Sequence, residues 1–478
     1  MWQPVLMICG YFVSVLGVAM LVPAAVDIYY SGVNWSIFLN SAVISVFIGL
    51  SLFFGNKGKI NDISIRQAYL ITVTSWGAVT LLAALPFVFY GTSGVDAIFE
   101  AASGISTTGA SIYSDVEKLP KAILLWRALL SGLGGVGIVI FAIAMLPFLG
   151  IGGMQIFQRE NSDMSEKFMP KISYIAKRII IVYLVLMVCC IVAMKMTGMT
   201  LFDAVCHALT TISTGGFSTK NASIGYFNNP TLEWIVTLFM FLGAIPLTLY
   251  HSLLATKDTH SLRSNQVSVF VKVLAVYILI VTIWLVYKGI YQPFDALRYA
   301  AFNVVAVVTS TGYNSANWLD WGAFAATAFV VFALTGGCTG STSGGVKIFR
   351  WQVVAAELKR AFITIVEPNR LLPLKVGGTT ISHNVASSIF VFFIAYAFCV
   401  TVISVLVALS GVDFSTAFSA TIACITNSGP GNTQIIGPAG SYSVLNDGVK
   451  ALLAFTMILG RLEVLTILVL FSQSFWRK

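Results

Sequence analysis

The residues best suited to chemistry in this chain offer oxygen atoms rather than acids or thiols. Thr309-Ser310-Thr311-Gly312-Tyr313-Asn314 has no carboxylate, histidine or cysteine, so its donors are hydroxyls and backbone carbonyls. Three other stretches share its character: Ser106-Thr107-Thr108-Gly109-Ala110-Ser111, Ser213-Thr214-Gly215-Gly216-Phe217-Ser218 and Thr426-Asn427-Ser428-Gly429-Pro430-Gly431. Such groups coordinate bare cations. Four loops around one axis would replace an ion's lost water with a ring of carbonyls, and a glycine in each permits backbone angles that a Cβ forbids.

Loops of this kind need supports, and composition says where those lie. Of 478 residues 57% are hydrophobic and 10% charged, against about 25% charged in soluble domains, so the expectation is an all-α polytopic membrane protein. Trp2–Tyr30 and Trp35–Phe54 read as a helix pair, each arm near the ~20 residues that cross a bilayer. The first apolar run is too long, and too poor in leading basic residues, for a cleavable signal. One pattern then recurs four times: long apolar helix, short apolar segment, glycine loop, second long helix. The outer helices are expected at Gln67–Tyr90 and Ala122–Gly150, Tyr174–Thr197 and Thr231–Leu254, Val267–Lys288 and Trp318–Leu334, and Val385–Ser410 and Val449–Phe475. This divides the chain into a helix pair (1–60) and four pseudo-repeats (61–160, 161–260, 261–376, 377–478), with ten spans in all.

Each short segment opens near an aspartate: Asp96, Asp203, Asp295 and Asp413 precede their loop glycines by 13, 13, 17 and 16 residues. That leaves helices of about 10–13 residues, roughly 15–20 Å, or about half the hydrocarbon thickness. Re-entrant segments follow, since irregular backbone at that depth must line protein or a wet cavity. The aspartates are expected to cap these helices, while the opposite, partially negative ends face the loops and favour a cation. Placing the glycine loops outside puts most of the 28 Lys and Arg, including Lys57, Lys59, Arg159, Lys177, Lys347 and Arg360, on the inner side, with both termini cytoplasmic.

Other function classes find little support. The net charge of +9 is spread over inter-helix loops, which fits membrane topology and not nucleic acid. The seven cysteines and His207, His251, His260 and His383 show no metal spacing. No nucleophile or metal pair points to an enzyme. Gly132 to Gly137 matches G-x-G-x-x-G, but inside an apolar helix it implies close helix packing. Gly340 to Lys347 resembles a phosphate loop with its lysine one place late. Glu100 and Arg298 are expected behind the loops or at their mouth.

Two features could control passage. Gly336-Gly337-Cys338-Thr339-Gly340-Ser341-Thr342-Ser343-Gly344-Gly345 breaks the second helix of the third repeat, since each glycine costs a helix about 1 kcal/mol. It is either a movable plug or a static bend. Arg461, near the middle of Val449–Phe475, is costly in lipid and must face a cavity or a partner. It is either a charge barrier or a structural arginine, and Glu463 lies on another helix face.

With Leu133–Gly137, Leu146–Gln155 and Gly460-Arg461-Leu462-Glu463, these motifs resemble the TrkH/TrkG branch of the Trk/Ktr/HKT potassium transporters along essentially the whole chain. The resemblance implies a potassium selectivity filter made of Thr107, Thr108, Gly109, Thr214, Gly215, Gly216, Ser310, Thr311, Gly312, Asn427, Ser428 and Gly429. Asn427 and Pro430 depart from a channel-like filter. Gly109 favours potassium, because some sodium-passing relatives have serine there. The resemblance further implies gating by Gly336–Gly345 and a pore-facing Arg461. It also implies a homodimer on a cytoplasmic TrkA-type nucleotide-binding ring, K⁺ as the bound and permeating ion with no organic cofactor in this chain, and a bacterial inner-membrane location. The rival class is a cation-coupled secondary transporter with re-entrant helices and alternating access.

Overall fold

A computed structural model describes residues 2–58, 63–149, 168–250, 265–370 and 372–477. Lys59, the stretch 150–155, Arg159, Lys167, His251, Lys257, His260, Arg263 and Lys478 lie outside the described residues, as do the expected boundaries at 60, 160 and 260. Among the described residues the fold is helical apart from one small antiparallel pair, Lys375–Val376 with Thr379–Thr380. Among the described residues, seven helices are long and apolar enough to cross a membrane. An eighth span forms if Asp447–Arg461 and Val464–Phe471 are joined across their 109° bend. The remaining two expected spans are shorter: Pro230–Gly243, and Ala323–Thr335 preceded by the single turn Trp318–Trp321.

The N-terminal pair packs Trp2–Ala19 on Trp35–Gly55, where a Cβ on Gly49 would meet the Gly10 carbonyl oxygen at 2.8 Å. Small residues let the two backbones touch, which is how helices associate where apolar burial drives little.

Four short helices lie at the centre: Gly94–Ile105, Leu201–Ile212, Pro293–Val308 and Phe414–Ile425. Three have 12 residues. The third has 16, one turn more, which accounts for its longer aspartate-to-glycine spacing. Their C-terminal halves are buried throughout.

The expected aspartate caps are corrected at three of the four sites. Ser93 and Thr200 accept the N–H groups of Asp96 and Asp203 at 3.2 and 3.1 Å, and Gln292 makes no side-chain cap; only Asp413 is a cap, accepting from Thr416 N–H at 2.9 Å. Serine and threonine cap as well as aspartate, and the residue just before the first turn takes the role. The other three carboxylates sit one turn inside, still favoured by the helix dipole, and bind neighbours. Asp96 meets Lys450 at 2.5 Å, Asp203 accepts from Thr219 at 2.6 Å, and Asp295 pairs with Arg298 at 2.9 Å.

Glycines set how closely the following helices approach these centres. A Cβ on Gly134 or Gly460 would collide with the carbonyl oxygen of Ile105 or Ile425, and one on Gly243 would lie 2.9 Å from that of Ile212. The three isoleucines end their short helices, so Gly132–Gly137 serves close packing, and Gly460 does the same beside Arg461.

Candidate functional site

Each short helix ends in the same turn. Thr107, Thr214, Ser310 and Asn427 adopt φ of 54°, 54°, 57° and 55°. Their N–H groups bond the carbonyls of Gly104, Thr211, Val307 and Cys424, and the next N–H reaches Ser103, Thr210, Ala306 or Ala423. This is a Schellman ending, for which glycine is the usual left-handed residue. Here four side-chain-bearing residues accept the strain, on the order of 1–3 kcal/mol each. Two residues later Gly109, Gly216, Gly312 and Gly429 take φ of 83°, 69°, 76° and 86°.

The four turns meet. A Cβ on Gly109 would stand 2.6 Å from Gly215 O; on Gly216 it would strike Thr311 O, on Gly312 Ser428 O, and on Gly429 Thr108 O. Contacts therefore run from first loop to second, third, fourth and back to the first. All four glycines border one cavity of about 140 Å³, shared with Arg127 and Lys220.

Within this ring, the carbonyls of residues 107–109, 214–216, 310–312 and 427–429 are nearly bare. Among the described residues only Gly215 O, from Phe217 N–H, and Gly429 O, from the Tyr442 hydroxyl, accept hydrogen bonds. Buried carbonyls are otherwise paired more than about 90% of the time. Four helix C-termini, each equivalent to roughly −0.5 charge, point at the same place. The arrangement can coordinate a cation and would repel an anion.

Behind the ring lies a fully buried ion pair. Arg127 Nε donates to Glu100 at 2.7 Å, and the guanidinium also reaches Ser111 Oγ and Ser218 O, with Phe217 beneath it at 4.2 Å. Glu100 accepts from Ser111 Oγ and Ile112 N–H. The pair ties the first loop to the second. Sequence reasoning placed Glu100 here but missed Arg127, although a charge inside an apolar helix is a usable signal. Arg127→Met leaves Glu100 buried and unpaired, with an expected cost of about 3–5 kcal/mol. Thermal denaturation of the solubilised protein checks this, and adding Glu100→Gln should recover much of the loss.

Other supports were not legible. Tyr313 sends its hydroxyl into the second short helix, to Thr210 Oγ1 and to His207 O at 3.1 Å. His207 is buried, bonded to Asp203 O and Ser218 Oγ, in keeping with plain packing. Outside, Asn221 donates to Asp115, whose carboxyl that bond and Lys118 hold below the usual range.

The glycine-rich segment leaves helix Ala323–Thr335 and runs to Ile348 against three of the short helices. Gly344 N–H donates to Ser310 Oγ at 2.5 Å, Gly345 N–H to Thr426 O at 2.9 Å, and Thr342 Oγ1 to Ile212 O at 3.0 Å. Lys347 Nζ turns back to Ser343 O inside the loop, which rules against a phosphate cradle. Arg461 is not mid-helix as expected. It ends Asp447–Arg461 at the bend, where Glu463 takes φ of 63° and pairs with Arg350 at 2.6 Å. Arg461 is buried, gives Nη1 to Thr342 O at 2.8 Å, and leaves Nε and Nη2 unpartnered among the described residues.

Comparison with known proteins agrees with this architecture. Residues 34–478 match the TrkH family of cation transport proteins. The chain is 36% identical to the Trk system potassium uptake protein TrkI of Halomonas elongata, over 100% of this chain and 97% of that one. It is 34% identical to TrkG of Escherichia coli, over 98% and 97%. The crystal structure of the potassium transporter TrkH from Vibrio parahaemolyticus superposes with a TM-score of 0.92 at 32% identity, covering both chains fully. On the sequence match and on the shared fold alike, this chain belongs to the TrkH family of cation transport proteins.

Proposed function

We propose that the chain carries potassium into the cell through the ring of Thr107–Gly109, Thr214–Gly216, Ser310–Gly312 and Asn427–Gly429. The observation that carries this reading is the set of twelve carbonyls converging from four helix C-termini, ten of them without a hydrogen-bond partner among the described residues. A hydrated ion enters the outer cavity, exchanges water for carbonyl oxygens, and leaves towards the glycine-rich segment. Potassium is the cargo, as in the relatives named potassium uptake proteins. The four quarters (61–160, 161–260, 261–376, 377–478) each contribute one wall. Gly336–Gly345 and Arg461 close the inner side, since the loop's donors occupy acceptors at the short-helix ends.

The assembly implied is a homodimer in the bacterial inner membrane, termini inside, seated on a cytoplasmic TrkA-type ring. Within Lys347–Arg360, Lys347 and Arg350 are turned inward, so a docking surface or an anchor to lipid headgroups would rest on Lys359 and Arg360.

Single-channel recording in planar bilayers with potassium on one side and sodium on the other tests the reading. Unitary currents that follow the gradient and reverse in favour of potassium are expected. Saturable, coupled flux without unitary currents would move the chain to the alternating-access class.

A further inference from the structure

The four loops match in backbone angle up to the glycine and diverge there. Among the described residues the carbonyls of Gly109, Gly216 and Gly312 accept no hydrogen bond, whereas Gly429 O takes the Tyr442 hydroxyl at 2.8 Å. Tyr442 is buried, its ring 5.3 Å from Phe99 on the first short helix. Its N–H donates to Ser111 O at 3.0 Å, and the hydroxyl of Ser441 adds a bond to the same oxygen. The tyrosine is thus seated on the first loop and reaches across to the glycine of the fourth.

We infer that Tyr442 is a specificity-setting positioning residue, whose hydroxyl holds one wall of the outermost carbonyl layer at a fixed radius. The inference rests on reading the ring as an ion filter. A carbonyl layer discriminates by how well its dipoles fit the larger ion and how far they can follow a smaller one inward. Three carbonyls of this layer can move with the ion. The fourth is tethered to a buried phenol, and following sodium inward would break that bond. Pro430, next in the chain, stiffens the same wall by fixing its own φ.

Tyr442→Phe keeps the ring and its contact with Phe99 and removes only the hydroxyl. Under bi-ionic conditions its potassium-to-sodium permeability ratio is expected to fall roughly fivefold, the equivalent of one net hydrogen bond. Potassium currents and the melting temperature of the variant, measured alongside, report that it is folded and inserted. Para-aminophenylalanine at 442, which retains a donor, should restore the ratio; a purely packing role would show no such rescue. An unchanged ratio in Tyr442→Phe, with Gly312→Ala still lowering uptake at least about tenfold, overturns the inference and leaves the filter reading intact. If Gly312→Ala is also without effect, the filter reading itself fails. Should the phenylalanine protein not reach the membrane, a fluorinated tyrosine supplies the test. Its stronger donor must raise the ratio, and no change counts against the tether.

Discussion

Gly312→Ala is expected to cut potassium uptake by about tenfold to a hundredfold while the protein still reaches the membrane. The glycine has φ of 76°, and a Cβ there would strike Ser428 O and stand 2.7 Å from Pro430 Cδ. The left-handed angle alone costs alanine about 1–2 kcal/mol, which a folded membrane protein tolerates. The larger effect falls on the ring. Ser428 O belongs to the bare carbonyl set, and pushing it aside removes a ligand from the ion. A hydrogen-bond-like contact to a charge is worth about 1.5–3 kcal/mol, on the order of tenfold to a hundredfold in rate. Gly216→Ala should behave alike, because its Cβ would strike Thr311 O. Gly137→Ala is the control: nothing lies within 4 Å of a Cβ there, so uptake should persist. Rubidium uptake in cells lacking other potassium importers reads all three. Wild-type uptake by Gly312→Ala would refute the ring.

Arg461→Ala is expected to open a leak. Its guanidinium is buried and holds Thr342 O at 2.8 Å, while Thr342 bonds Ile212 O and Gly243 O. Removing it therefore takes away a charge and a latch together. Two unit charges roughly 6 Å apart at an effective dielectric of about 20 repel by about 3 kcal/mol, an upper bound near a hundredfold in flux. Deleting Cys338–Ser343 should raise flux as well, since the segment carries the Thr342 contacts and shapes the backbone that presents Gly344 and Gly345. The two changes act on one closure, so their effects should not add. Potassium flux into liposomes holding the purified protein measures both. A folded Arg461→Ala protein with unaltered flux would make this arginine structural only.

The short helices and their glycine loops were legible because their causes are local. An apolar run too short to span, a polar turn and one glycine determine a helix end wherever it sits. Reading Asp96, Asp203 and Asp295 as caps failed for an equally local reason. Ser93 and Thr200 hold the cap position and accept the N–H groups of Asp96 and Asp203 themselves, and Gln292 takes that position ahead of Asp295. The continuous helix expected over Val449–Phe475 is instead broken at Glu463, which takes a left-handed angle and pairs with Arg350, a residue more than 100 positions away.

By itself the sequence determined a membrane-embedded helical chain with four like turns rich in oxygen. Hydropathy and turn chemistry act over a few residues and need no partner. Only the tertiary structure decided which turn neighbours which, that Glu100 is held by Arg127, and that Tyr442 holds Gly429 O. Those pairings join residues 13 to more than 300 apart. They are selected by packing and by the need to pair buried polar groups, forces that depend on where the rest of the chain has gone.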